Sequence, residues 1–261
     1  MAQTYRKVLI TGITGLIGGI VYNDLKDDYE ITGLARRPME GVRHFRGSID
    51  KLDEILPAFE GQDAVVHLAA DPSMHATWES ALPNNFIGTY NVYEASRRCG
   101  VKRVIFASSN HATGMYERDH PYHHIVKGEY DKADVWPIPQ LTHRSEIRPD
   151  GYYGISKAYG EAMGRYYSEE YGLSVICLRI GTVNRWDSPT RDIRHFATWL
   201  SHRDQAQLVR NSLEAPADLK FDIFYGVSAN KWRFWDIEHP REVVGYQPQD
   251  NAEEYRGKEE F

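Results

Sequence analysis

The stretch VLITGITGLIGG (residues 8–19) decides the fold of this chain. Its first four residues are apolar or β-branched, which is typical of a buried strand, and Gly12, Gly15 and Gly18 follow in the turn after it. Glycines at such a turn keep it tight, let backbone N–H groups approach a pyrophosphate and let the next helix pack against the strand. The N-terminus of that helix offers the positive end of a dipole to phosphates. We interpret the segment as a dinucleotide-binding loop, although one more residue separates its first two glycines than in G-x-G-x-x-G.

Strand-like and helix-like segments alternate along the rest of the chain. Strands buried on both faces are nearly continuous apolar runs, and the segments 103–108 and 174–180 are of this kind. The alternation predicts an α/β fold, a Rossmann-type doubly wound parallel sheet with a small C-terminal substrate-binding part. The predicted strands are 8–11, 30–35, 42–45, 64–69, 103–108, 174–180 and 221–227, and the predicted helices are about 16–26, 51–60, 84–99 and 152–171.

We expect one domain over residues 1–261. About 1–180 would form the dinucleotide-binding core, with an irregular insertion at 115–150 that is rich in proline, glycine and histidine. About 181–261 would be mainly substrate-binding, with a returning core strand near 221–227.

Three further segments have simpler interpretations. The histidines of the insertion lack the spacing of metal ligands, so we expect no metal site. The aromatic residues Trp232, Phe234 and Trp235 are interpreted as packing rather than as a sugar platform. The polar tail after Asp250 is expected to be loosely ordered.

Composition excludes several classes of protein. Lys and Arg total 31 against 37 Asp and Glu, a net charge of −6, which argues against a nucleic-acid-binding surface. No apolar run is long enough to span a membrane, and the N-terminus lacks the apolar stretch of a signal peptide, so we expect a cytoplasmic protein. Two cysteines cannot form a disulfide framework or a four-ligand zinc site.

The second predicted strand ends in Ala35, Arg36 and Arg37. A carboxylate at this point would bind the ribose 2′-hydroxyl of NAD, whereas two guanidinium groups suit the 2′-phosphate of NADP. We therefore expect NADP, or use of both cofactors; the alternative is that both arginines are ordinary surface charges. Ser48 and Ile49 follow the third strand and are expected to flank the adenine.

Tyr153 and Lys157 lie four residues apart at the start of a predicted helix, on one face. A nearby cation lowers the pKa of a phenol, so such a tyrosine can act as a general base. Tyr22 and Lys26 have the same spacing, but we interpret that pair as surface. The strand that ends at Ser109 should deliver its hydroxyl to the same crevice as Tyr153.

Together, the glycine loop, Ser109 and the Tyr153/Lys157 pair resemble the extended short-chain dehydrogenase/reductase family, of the NAD-dependent epimerase/dehydratase type, over nearly the whole chain. The segments SSNH (108–111), RPDGYYGISK (148–157), LRIG (178–181), GVSAN (226–230) and QDNAE (249–253) are similar to uronate dehydrogenases and to archaeal NAD-dependent glucose-6-phosphate dehydrogenases.

The resemblance implies roles for individual residues. Tyr153 would take the proton from a sugar C1 hydroxyl, Lys157 would lower the pKa of Tyr153 and Ser109 would hydrogen-bond the reacting oxygen. Asn110, His111 and Tyr153 would contact the sugar. Arg179 would bind an anionic substituent; the alternative is that it is a buried ion-pair partner. The cofactor would contact Gly12, Thr14, Gly15, Leu16, Ile17, Gly18, Ala35, Arg36, Arg37, Ser48, Ile49, Leu68, Ala69, Ala70, Asn85, Ala107, Ser108, Tyr153, Lys157 and Ile180.

The expected function is oxidation of the C1 hemiacetal of an acidic sugar, a hexuronate or a hexose 6-phosphate, to a lactone by hydride transfer to NADP or NAD. The first alternative is a nucleotide-sugar epimerase or dehydratase with the same Tyr/Lys pair, although little chain follows Lys157 to enclose a nucleotide diphosphate. A non-enzymatic NADP-sensing protein is the second. The resemblance also implies a homodimer or higher homo-oligomer formed through helices 84–99 and 152–171.

Overall fold

The computed structural model describes residues 5–261 and contains one seven-stranded sheet in which all neighbouring strands are parallel. The strand order is β3-β2-β1-β4-β5-β6-β7. The chain moves from β1 to one edge and then crosses to β4 on the other side of β1, and this reversal opens a crevice at the carboxyl ends of the strands. The strands are β1 (Lys7–Thr11), β2 (Glu30–Ala35), β3 (Arg43–Arg46), β4 (Ala64–His67), β5 (Arg103–Ser109), β6 (Ser174–Ile180) and β7 (Phe221–Gly226).

Helices cover both faces of the sheet, as predicted for a doubly wound fold. They are α1 (Leu16–Leu25), α2 (Leu52–Phe59), α3 (Trp78–Ala81), α4 (Gly88–Arg98), α5 (Tyr122–Ile125), α6 (Tyr130–Ala133), α7 (Tyr152–Tyr171), α8 (His195–Thr198), α9 (His202–Glu214) and α10 (Glu238–Val244). The helix predicted at 84–99 is continuous with α3 through a wider, π-helical turn at Leu82–Ile87. Short 3₁₀ segments occupy Asn110–Arg118 and Ala252–Tyr255.

The core is divided by the sheet because successive strand residues point to opposite faces. Val8 and Ile10 belong to the apolar cluster on one face, whereas Leu9 belongs to the cluster on the other. All three side chains are fully buried. The sheet is therefore rigidly held on both sides, and its carboxyl edge is a stable platform for a site.

The insertion and the tail pack against the body of the protein. Leu141 donates its N–H to the carbonyl of Phe234 at 2.7 Å, and the rings of Tyr122 and Phe234 lie 4.8 Å apart. Phe234 and Trp235 are buried, which confirms their interpretation as packing residues. The expectation of a loosely ordered tail is wrong for its first residues, because Ala252 is buried and its N–H binds Asn230 Oδ1 at 3.0 Å.

Across residues 5–261, none of the helices has the length and apolar character that crossing a lipid bilayer requires.

Candidate active site

A cavity of about 770 Å³ lies along the carboxyl edge of the sheet. It is bordered by the glycine loop, by the ends of β2 through β6 and by the start of α7. The structure brings to its wall all of the predicted site residues except Asn85 and Arg179. Residues of the wall that were not predicted include Leu34, Gly47, Pro72, Met74, Asn84, Thr182, Val183, Asp192, Arg194 and His195.

The glycine loop has the geometry that a pyrophosphate site needs. Gly12 has φ +71°, and a Cβ at this residue would lie 2.8 Å from the backbone nitrogen of Ala69. A Cβ at Gly18 would lie 2.4 Å from the Gly12 carbonyl oxygen, so α1 packs directly on the turn. Helix α1 begins at Leu16 without a side-chain cap, which leaves N–H groups of its first turn for a ligand. The residues present therefore fit a dinucleotide.

A buried hydrogen-bond network, not predicted from sequence, holds this loop to β4. Thr11 Oγ1 lies 2.9 Å from His67 Nδ1 and accepts the N–H groups of Leu68 and Ala69 at 3.2 Å. Burial lowers the pKa of His67 to about 3, so its imidazole is neutral at physiological pH. The network sets the spacing between the two strand ends that flank the crevice.

The far end of the cavity is lined by Ala35, Arg36 and Arg37. Both arginines are exposed, and within residues 5–261 neither forms an ion pair with a carboxylate. His44 binds the carbonyl of Ala35 at 3.2 Å through Nε2. The end of β2 thus presents two uncompensated guanidinium groups to the cavity and no carboxylate from that strand end.

Ser109, at the end of β5, and Tyr153, in the first turn of α7, meet in the cavity wall. Burial raises the pKa of Tyr153 to about 12, and a hydrogen bond with Ser109 acts in the opposite direction. The ammonium of Lys157 lies 5.3 Å from the centre of the Tyr153 ring and donates to the carbonyl of Ala107 at 2.7 Å. Burial lowers the pKa of Lys157 to about 8. Lys157 is thus the cation beside the phenol, while the hydrogen bond between Ser109 and Tyr153 lowers the pKa of the phenol.

Two neighbouring side chains present polar atoms to a ligand. The amide nitrogen of Asn110 is buried without a hydrogen-bond partner, while its oxygen accepts from Ser109 Oγ at 3.2 Å. His111 Nδ1 is held by Asp150 Oδ2 at 2.6 Å, and its ring lies 5.8 Å from that of Tyr153. A buried donor without a partner is costly, so Asn110 is suited to an oxygen of a bound molecule.

The prediction that Arg179 binds an anion in the site is wrong. Its side chain is 1% exposed, and Nε and Nη2 each donate to Glu161 at 2.8 Å. Nη1 donates to the Tyr225 hydroxyl at 3.0 Å. The guanidinium is turned into the core because Glu161 on α7 faces it across the sheet surface, and Arg179 is not part of the cavity wall.

Asn85 is likewise not part of the cavity wall. Its oxygen accepts the N–H of Asp71 at 2.7 Å, and its nitrogen donates to the Asp71 carbonyl and to Ser156 Oγ at 3.1 Å. It ties the loop after β4 to α7. The side chain that reaches the wall from this turn is its neighbour Asn84.

The loop after β6 supplies the residues that sequence reasoning missed, notably Thr182, Asp192, Arg194 and His195. Arg194 donates through Nε and Nη2 to both oxygens of Glu117, at 2.7 and 2.6 Å. His195 Nδ1 is buried without a partner. These residues lie in no recognisable motif, and the one signal for Asp192, Arg194 and His195 was the concentration of polar and charged residues at 191–195.

Known proteins are similar to this chain over most of its length. The model of the NAD dependent epimerase/dehydratase family matches residues 8–208. An NAD-dependent glucose-6-phosphate dehydrogenase of Haloferax volcanii is 35% identical, over 95% of each chain. An L-arabinose 1-dehydrogenase (NAD(P)(+)) of the same organism is 34% identical, over 94% of this chain and 97% of its own.

A crystal structure of a mutant uronate dehydrogenase from Agrobacterium tumefaciens, complexed with NAD, superposes with a TM-score of 0.80. The two are 29% identical, over 97% of this chain and 88% of that one. The glycine loop and the Ser109, Tyr153 and Lys157 side chains are consistent with the family of the matched model. The chain belongs to the NAD dependent epimerase/dehydratase family, because the family model matches most of it and a relative is 35% identical over 95% of its length.

Proposed function

We propose that this protein is an NAD(P)-dependent sugar dehydrogenase that oxidises the C1 hydroxyl of a cyclic aldose to the lactone. The observation that carries the proposal is the convergence of Ser109, Tyr153 and Lys157 in the wall of a cavity that begins at a dinucleotide-type glycine loop. The similar proteins named as glucose-6-phosphate, L-arabinose and uronate dehydrogenases support it.

In the proposed oxidation, each residue of the cavity wall named above has its own role. A bound nicotinamide supplies the acceptor for the hydride that leaves C1. Tyr153 takes the proton of the C1 hydroxyl, and Ser109 hydrogen-bonds the same oxygen, so that the C1–O bond becomes a carbonyl. Lys157 contributes positive charge beside the phenol and is positioned by the carbonyl of Ala107. Asn110 and His111 bind neighbouring sugar hydroxyls.

For the cofactor, we propose that NADP is accepted as well as NAD. Arg36 and Arg37 are free to pair with a 2′-phosphate, and no carboxylate of that strand end would repel it. One similar enzyme is named for both cofactors.

The expectation that the sugar carries an acidic substituent rested mainly on Arg179, and that side chain is enclosed in the core. The similar enzymes act, by name, on both charged and uncharged sugars. The proposal therefore covers aldoses in general.

We also propose a cytoplasmic protein that assembles as a homodimer or larger homo-oligomer. The exposed apolar side chains Tyr90 on α4 and Tyr152, Ile155 and Tyr166 on α7 support the helix pair predicted from sequence as the contact.

The first experiment is a set of initial rates with NAD⁺ and NADP⁺, each against hexuronates, hexose 6-phosphates and neutral aldoses. Tyr153→Phe should reduce kcat by about 10²- to 10⁴-fold, the range of general-base contributions, and leave the cofactor Kd unchanged. The matched control is Tyr152→Phe, because that neighbouring tyrosine is exposed. Undiminished turnover of Tyr153→Phe, or no reduction of either cofactor by any free sugar, would refute the proposal. In the second case, nucleotide sugars and the epimerase alternative would be tested next.

A further inference from the structure

The guanidinium of Arg194 in the cavity wall is already paired with a carboxylate. Its Nε and Nη2 donate to the two oxygens of Glu117 at 2.7 and 2.6 Å, a bidentate arrangement. Nη1 donates to Thr182 Oγ1 at 3.2 Å. The side chains of Arg194 and Glu117 are only 20% and 16% exposed, so solvent screens the pair weakly.

Pairing with Glu117 balances the positive charge of Arg194, which would otherwise attract an anion. A guanidinium has five N–H groups; Glu117 occupies the Nε/Nη2 edge of Arg194, and Nη1 donates to Thr182. The remaining N–H groups can donate to a hydroxyl, but the positive charge is balanced. A second carboxylate or a phosphate would have to displace Glu117 or share the guanidinium with it.

Other charges at this end of the cavity act in the same direction. Asp192 lies in the wall and accepts the backbone N–H of Arg194 at 2.8 Å, and Asp150 holds His111. This end of the cavity therefore has three carboxylates, those of Glu117, Asp150 and Asp192, and two cations, Arg194 and Lys157. Lys157, whose pKa burial lowers to about 8, is still mostly protonated at neutral pH, so three negative charges face two positive ones. The potential here disfavours an anionic substituent.

The unpaired polar atoms, in contrast, suit hydroxyl groups. Asn110 Nδ2 and His195 Nδ1 are buried without partners. A sugar hydroxyl can accept from the amide and can also donate to the imidazole nitrogen or to a carboxylate oxygen. An uncharged polyol can therefore bind both the hydrogen-bond donors and the hydrogen-bond acceptors of the cavity wall.

We propose that Glu117 determines substrate class and that this protein acts on a neutral aldose rather than on a hexuronate or sugar phosphate. This inference rests on the proposed C1 dehydrogenase function and refines it. Glu117 lies on the 3₁₀ segment Asn110–Arg118, which also carries Asn110 and His111, so one segment contacts the sugar and sets the charge of its pocket.

The test uses substrates that differ only at C6, D-galactose with D-galacturonate and D-glucose with D-glucuronate, with L-arabinose as a further neutral aldose. The wild-type enzyme should show a higher kcat/KM for the neutral member of each pair. Glu117→Gln frees the charge of Arg194 and should raise the uronate-to-aldose ratio of kcat/KM by about tenfold or more, mainly through KM. The matched control is Glu253→Gln, which removes a bidentate arginine pair with Arg256 away from the cavity wall and should leave the ratio unchanged.

Each outcome is decisive. A wild-type preference for the uronates overturns the inference while supporting the dehydrogenase function, and this measurement does not depend on the variant being folded. A folded Glu117→Gln with an unchanged ratio also overturns it. Absence of turnover with every sugar refutes the proposed function itself.

Discussion

Arg179 and Glu161 form a bidentate ion pair between β6 and α7, with both N–O distances at 2.8 Å and both side chains almost fully buried. Ser108 Oγ donates to the same carboxylate at 2.6 Å, which adds β5 to the contact. Glu161 lies one helical turn after Lys157. The pair therefore sets the position of α7, and of Tyr153 and Lys157 on it, relative to the strand that carries Ser109.

Removal of Arg179 should destabilise the fold. Arg179→Met leaves the Glu161 carboxylate buried without its cation, which costs ~3–5 kcal/mol in the free energy of unfolding. Urea denaturation measures this loss. The control is Arg165→Met on α7, the helix that carries Glu161. The pair of Arg165 with Glu169 is more than half exposed, and its loss should cost no more than ~1 kcal/mol. Equal stability of the two variants would show that the buried pair does not anchor α7.

The pH dependence of sugar oxidation should follow Tyr153. The active form is the phenolate, and because burial raises the pKa to about 12, the phenolate fraction grows as pH rises through the neutral range. Below about pH 8, where Lys157 is also protonated, kcat/KM should fall about tenfold for each unit of pH.

Ser109→Ala should move this profile to higher pH, because the hydrogen bond between Ser109 and Tyr153 lowers the pKa of the phenol. The measurement is kcat/KM across pH, which reports on the free enzyme. Ser168→Ala is the control, since that hydroxyl lies on the same helix but bonds to the Lys220 carbonyl. A profile that does not move in Ser109→Ala would remove Ser109 from the control of the base.

Two adjacent glycines in α1 should respond oppositely to alanine. In Gly18→Ala the new Cβ would lie 2.4 Å from the Gly12 oxygen and 2.7 Å from Ile13 Cα, which are backbone atoms that cannot turn away. We expect a loss of ~1–3 kcal/mol in stability and weaker cofactor binding. Gly19→Ala meets no atom within 4 Å and should stabilise the helix by ~0.5–1 kcal/mol. Thermal unfolding and cofactor titration of both variants check this, and unimpaired cofactor binding by Gly18→Ala would contradict it.

Use of NADP should depend on the two arginines after β2. The double variant Arg36→Ala/Arg37→Ala should lower kcat/KM for NADP⁺ by about tenfold or more and change that for NAD⁺ little, because only NADP carries the 2′-phosphate. Arg43→Ala is a suitable control, since Arg43 begins the adjacent strand β3 at its opposite end. Equal losses with both cofactors would mean that the arginines do not read the 2′-phosphate.

Local patterns in the sequence were sufficient for the architecture and for much of the site. The strand periodicity and the turn at residues 12–18 predicted the parallel sheet, since both depend on neighbouring residues alone. Because parallel strands end at one edge, the same patterns also predicted that Ser109 and Tyr153 would share a cavity.

Only the tertiary structure decided which charged side chains face the ligand. Arg179 lies at a strand end, where sequence reasoning expects a ligand contact, but Glu161 on another element turns it into the core. Arg194 follows no periodic pattern, and its partner Glu117 is 77 residues away in sequence. The direction of a buried guanidinium, and whether its charge is balanced, depend on the carboxylate that packing brings to it, and no local pattern contains that information.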